Sequence, residues 1–358
     1  MKLILEIVVN ILRFSGFLLK MAILSLLLLV PDIHIALGSD SFSLALKNES
    51  EIVRAEAIST FRKKKGPFSD ESIGLLGKAL NDPSSLVRRE AMDVLEILGP
   101  KAKAAVPDII HFLSNIEPGN AAQIRAPLAI KSIGINNNEV HSKLKEILQI
   151  QDSELLLIRI NSIIAIGELK GNPKTVEPFL ESICRNNSEP QELRMKCWVA
   201  LARIQPSHPQ AIEKLIEMIK EGHKRKSAYV VASGIQINFT PRFDALKALS
   251  DIEKIDLAVP ILIDELKSAS SERERNRVIL DLKLIKPTSK GLKNLLPYLK
   301  QFIESGNIKG GYMKYFTLQS IALIGGPIEG KEFLREFSKK SDDAQAKSFA
   351  TQILKNIK

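Results

Sequence analysis

Seven arginines recur along this chain at nearly one spacing. They are Arg54, Arg88, Arg125, Arg159, Arg194, Arg242 and Arg277, with successive gaps of 34, 37, 34, 35, 48 and 35 residues. A period of that size marks a solenoid, in which each repeat is one supersecondary unit that buries its apolar face only against its neighbours. Of the 358 residues, 45% are hydrophobic but only 5% aromatic, with a single Trp. Leu, Ile and Ala supply the apolar mass, which suits helices better than sheets.

The second repeat shows the plan. Ser72–Leu80 reads as a first helix, and Asn81-Asp-Pro-Ser-Ser85 as a turn of residues that stop one helix and cap the next. Leu86–Leu98 reads as a second helix, ended by Gly99-Pro100. Val87, Ala91, Val94, Leu95 and Leu98 follow the spacing of one buried helical face, and the small Ala91 lets a neighbouring helix approach. Pro107, Pro178, Pro260 and Pro297 each read as lying near the start of a first helix, where a missing N–H costs nothing.

Val87-Arg-Arg-Glu-Ala91 through Leu98-Gly99, preceded by Asn81-Asp-Pro83, resembles a HEAT repeat of the bacterial HEAT-like kind. Ala105-Val-Pro107 and Ala258-Val-Pro260 resemble the opening of the first helix in that family. The resemblance covers roughly residues 42–358. It implies an all-α fold, an α-α superhelix of about eight or nine helical hairpins. Tyr315 departs from the pattern by standing where other repeats have arginine. In HEAT-like repeats a turn aspartate and the following arginine form a hydrogen-bonded ladder between repeats. Asp82 with Arg88 and Asp152 with Arg159 match that motif, so all seven arginines are expected to be structural.

Residues 1–38 differ in kind. Lys2, Arg13 and Lys20 precede the apolar run Met21–Val30, and Ala36-Leu-Gly38 offers small residues suited to a cleavage site. This is the pattern of a signal peptide. A cleaved signal is the favoured reading and an uncleaved membrane anchor the alternative. Either one predicts an exported chain: periplasmic, secreted or membrane-anchored. Cys184 and Cys197 fall in one repeat. Export makes a bridge chemically allowed, but the expected state is two buried thiols packed as small hydrophobes.

The gap of 48 residues is the main irregularity. About a dozen extra residues enter between two helices, within 221–241. Insertions into solenoids map to one face, often the binding face. This one has a basic head, His223, Lys224, Arg225 and Lys226, and a body with Tyr229 and Phe239, and it can fold as a small hairpin. Those six residues are the candidate partner contacts. Arg62–Lys65 is a second basic cluster, suited to a helix C-terminus.

The five histidines are scattered, and there is no Walker loop, G-x-S-x-G or H-E-x-x-H. Asp251, Glu253 and Asp256 read as a solvated turn and Glu272–Arg275 as a charged turn. No cofactor, metal or catalytic residue is expected. The reading is a non-enzymatic scaffold that binds a protein or peptide on its concave face, with the 221–241 insertion as a second contact. The net charge of +10 keeps a nucleic-acid or DNA-glycosylase-like role as an alternative. Kinship of the repeat keeps a phycobilin-lyase-like enzyme as another. The export segment and the lack of aromatics near the basic clusters disfavour nucleic acid. Membrane contact is expected only through an uncleaved N-terminal segment.

Overall fold

The computed structural model describes residues 39–63, 68–222, 228–232, 235–287, 289, 291–306, 308 and 310–356. The export segment expected at 1–38 lies outside them. The chain divides into two compact units, one of residues 39–116 with 132–135 and one of 117–131 with 136–356.

The first unit holds α1 (Ser39–Ala45), α2 (Glu51–Lys63), α3 (Asp70–Lys78), α4 (Ser85–Leu98) and α5 (Val106–Phe112). First helices pack on first helices, α1 on α3 and α3 on α5, while α2 packs on α4. Two layers follow, each one helix thick, and the core lies between them. Ser69 caps α3 by accepting from the Ser72 amide, and Gly99 ends α4 at a positive φ that a side chain would resist. Of the five residues read as one buried face, Leu98 is only half-buried, while Val87, Ala91, Val94 and Leu95 are fully buried. Each large aliphatic side chain so buried contributes roughly 1.5–3 kcal/mol.

The second unit opens with most of α6 (Ala121–Ile133). Six helical hairpins follow: α7 (Asn138–Gln149) with α8 (Leu156–Leu169), and α9 (Pro173–Arg185) with α10 (Gln191–Ile204). Next come α11 (Pro209–Glu221) with α12 (Pro241–Asp251), and α13 (Val259–Ser268) with α14 (Glu272–Leu282). Last are α15 (Leu296–Glu304) with α16 (Gly311–Gly325), and α17 (Lys331–Lys340) with α18 (Ala344–Asn356). The same layering recurs: α8 packs on α10, α10 on α12, α14 on α16 and α16 on α18. The fold is an all-α array of helical hairpins. Its one β element among the described residues is a hairpin of β1 (Ala228–Ala232) and β2 (Ile235–Phe239), inserted between α11 and α12.

The insertion does not separate its flanking helices, because α11 packs directly on α12. The next layer keeps register too. Lys196 Nζ reaches Asp244 Oδ2 at 2.6 Å and Arg203 Nη2 reaches Asp251 Oδ2 at 3.3 Å, each across 48 residues. The long gap is therefore one repeat with an excursion, since its helices meet as they do elsewhere.

Two local expectations are corrected. Pro178 sits inside α9, which begins instead at Pro173 behind the Asn172 cap. Glu272–Arg275 is the first turn of α14, where Ser271 and Glu274 form a capping box.

Candidate interaction surface

The arginines hold the hairpins together, and where a turn carboxylate answers an arginine it is the arginine of the preceding hairpin, not the one that follows it in the same hairpin. Arg54 on α2 reaches forward to the turn of the next hairpin. Its Nε donates to Asp82 Oδ2 at 2.7 Å and its Nη2 to Asp82 Oδ1 at 2.8 Å. Arg88, in the same hairpin as Asp82, donates instead to the backbone carbonyls of Asp82 and Pro83 at 2.8 and 2.9 Å. The carboxylate thus belongs to the arginine before it, and the carbonyls to the arginine after it. Burial pushes the Asp82 carboxyl up, but hydrogen bonds from Arg54 and the Ser84 amide outweigh it and hold the group below its usual range.

Arg159 repeats the forward reach through a residue the motif did not flag. Its Nη2 donates to Glu189 Oε1 at 2.7 Å and to the Leu148 carbonyl at 3.0 Å, with both charged side chains only 3% exposed. Asp152, the partner expected for Arg159, caps its own turn by accepting from the Glu154 amide. The signal was present: Glu189-Pro190 stands in its turn as Asp82-Pro83 does in the earlier one. Burial of Glu189 is offset by the hydrogen bonds from Arg159 and Gln151, so its carboxyl too lies below the usual range.

The remaining arginines divide. Arg125 lies half-buried on α6, and Arg194 Nη1 donates to Asn187 Oδ1 at 2.8 Å. Arg242 is shared by two carboxylates, Glu265 at 2.6 Å and Asp281 at 2.7 Å. Burial pushes the Asp281 carboxyl up to about 6 in spite of the Arg242 contact. Arg277 does not hold the ladder position. Arg275 does, donating to the Ala269 carbonyl six residues upstream, as Arg54 and Arg88 do to Asn48 and Asp82.

Of the six candidate partner contacts, His223, Lys224, Arg225 and Lys226 lie outside the described residues. Tyr229 pairs in register with Asn238, and Phe239 with Ala228, so the two aromatic residues occupy adjacent rungs of the hairpin. Asp251, read as part of a solvated turn, instead takes Arg203 and Lys247.

A patch that sequence reasoning missed lies on α14 and α16. Tyr312 is 63% exposed and meets Phe316 edge-on at 4.1 Å between ring centres. Lys283 Nζ stands 3.8 Å above the Phe316 ring and 5.4 Å from that of Tyr312. A cleft of about 200 Å³ opens beside them, lined by Leu282, Ile285, Pro287, Leu292 and Leu323. Leu280 and Leu323 add exposed apolar area, while Glu272, Arg273 and Arg277 line a charged edge of mixed sign along α14. The helix that carries the patch is the one where Tyr315 replaces the repeat arginine. Its ring packs on Phe316 and Phe349. Aromatics clustered in a chain so poor in them were the available signal.

A family model described as the vitellogenin TPR domain matches residues 83–236. The chain is a helical repeat protein. A crystal structure of an engineered protein from the Northeast Structural Genomics Consortium is similar at 16% identity and a TM-score of 0.38, over 89% of this chain and 88% of that one. No curated protein matches the sequence.

Proposed function

We propose that this helical repeat protein is a non-enzymatic, exported interaction scaffold built from HEAT-type repeats, and that it holds a protein or peptide partner. The observation that carries this reading is the patch around Tyr312, Phe316 and Lys283. It combines the exposed Tyr312 with the half-buried Phe316 ring it meets edge-on, an apolar-lined cleft and a lysine held over the rings on the same face. Aromatic and Arg-rich surfaces with an apolar centre are what protein interfaces favour. The forward ladder from Arg54 to Asp82 supports the HEAT assignment, because it ties one repeat to the next. The basic, apolar and small-residue sequence of 1–38 supports export.

Two measurements test the reading. A photo-crosslinking residue at position 312 is expected to give a discrete protein adduct in cells, and the same residue at the exposed position 340 is not. Absence of an adduct at 312 would remove the patch as a binding face. Expression from the first codon, followed by fractionation and N-terminal sequencing, is expected to give a chain beginning near Ser39 outside the cytoplasm. An intact cytosolic N-terminus would overturn export.

A further inference from the structure

Cys184 sits in the last turn of α9 and Cys197 in the second turn of α10, 13 positions apart along the chain. The two helices are the arms of one hairpin, so their contact is set by the repeat itself. The two sulfurs face each other: Cys184 Sγ and Cys197 Sγ lie 2.6 Å apart, inside the contact distance of two unbonded sulfurs. Cys197 Sγ in turn donates to the Leu180 carbonyl at 3.1 Å. Both residues are buried, at 2% and 0% exposure. Among the described residues no other cysteine competes for either one.

We propose that Cys184 and Cys197 are a convertible dithiol–disulfide pair that locks the α9–α10 hairpin when the chain folds in an oxidising medium. The oxidant is a small disulfide. One cysteine thiolate attacks it, forms a mixed disulfide and releases one small thiol. The second cysteine, as thiolate, attacks the protein sulfur of that mixed disulfide and expels the other small thiol. Two S–H bonds are lost and one S–S bond is formed, while one small disulfide is reduced to two thiols.

Burial decides when this happens. It pushes the Cys197 thiol well above its usual range, so the folded dithiol is a poor nucleophile and hard to reach. The exchange belongs to folding, before the hairpin closes. Once made, the bridge is shielded by the same packing, and reduction must wait for local opening of α9 from α10. The pair also bears on the surface above it, because Cys184 lines a cleft of about 370 Å³ with Arg194, Trp198 and Met218. The inference does not depend on the proposed function.

The test refolds the reduced, denatured full chain in a mixture of reduced and oxidised glutathione. It is then denatured and alkylated, and its intact mass and unreduced peptide map are measured. Reactive thiols are expected to fall from two to none, the mass to drop by two hydrogens, and a peptide bearing Cys184 to be joined to one bearing Cys197 in a monomer. Two alkylated thiols, a glutathione adduct or an intermolecular dimer would overturn the proposal. Should the chain fail to refold, expression in a disulfide-forming compartment followed by the same map decides it by the same outcomes. Cys197→Ser must abolish the two-hydrogen loss, and its persistence in that variant would also overturn the assignment.

Discussion

Arg54 and Asp82 lie in successive hairpins and meet through two parallel hydrogen bonds, with both side chains about one-tenth exposed. The same carboxylate accepts from the Ser84 amide at 2.9 Å, so one aspartate caps its own turn and clasps the preceding repeat. In a solenoid each interface must hold by itself, because distant repeats cannot compensate.

Asp82→Ala is therefore expected to cost about 3 kcal/mol, since it strands a largely buried guanidinium as well as losing the cap. Its pH behaviour has a definite sign. The Asp82 carboxyl is held below its ordinary value of 3.8, so its contribution is present above that value and is lost as pH falls through the lower, folded one. Urea unfolding of wild type and variant from pH 7 to pH 3 checks this. The difference between them should shrink at the acid end.

Arg242 serves Glu265 and Asp281 together, and removing the cation is predicted to cost far more than neutralising one of its carboxylates. Arg242→Ala leaves two carboxylates without a cation and should cost about 3–5 kcal/mol. Asp281→Asn keeps an acceptor for Arg242 and removes one buried charge, so stability at pH 7 should stay within about 1 kcal/mol of wild type. Between 3.8 and about 6 the folded state holds a proton on Asp281 that the unfolded chain has released. Stability from this group therefore falls as pH rises through that window, and the Asn variant should lose that slope. Denaturation midpoints at pH 4, 5 and 6 measure it.

Gly167 on α8 faces Ala200 on α10 so closely that a β-carbon at 167 would lie 2.8 Å from the Ala200 α-carbon. Helix propensity alone would make Gly167→Ala stabilising by about 1 kcal/mol. The clash is with backbone, which cannot swing aside, and overpacking of this kind costs about 1–3 kcal/mol. The variant is thus expected to melt lower than wild type. Adding Ala200→Gly should not restore it fully, because the clash with the backbone at position 200 remains. A melting curve above wild type for the single variant would mean that α8 and α10 separate easily.

Removal of 223–239 should leave the helical circular-dichroism signal per helix unchanged. Gly222 and Arg242, on either side of the insertion, lie against each other, a β-carbon at 222 falling 2.5 Å from the Arg242 β-carbon, and α11 packs on α12 directly. A large loss of helicity would show that the hairpin belongs to the core.

What could be read in advance follows from how local each cause is. Helix pairs, caps and buried faces depend on neighbours within a few residues, so Val87, Ala91, Val94 and Leu95 were legible in the sequence. Pro178 misled because a proline marks a first turn only on average, and the Asn172-Pro173 start lay five residues earlier. The choice of Arg275 over Arg277 depends on which side of α14 faces the turn, and a period in the sequence leaves that to within a residue or two. The patch at Tyr312 and Phe316 was hidden for another reason: its rings and Lys283 belong to different repeats.

By itself the amino-acid sequence determined the repeat length, the helical hairpin, the all-α class and the site of the excursion after α11. All of these rest on short-range periodicity and turn chemistry. Only the tertiary structure decided the partners across repeats: that Asp82 answers Arg54 rather than Arg88, that Glu189 answers Arg159, and that Cys184 meets Cys197. A repeating pattern offers each side chain several equivalent neighbours. Packing of whole helices against one another selects among them, because only one register fills the core and satisfies the buried charges together.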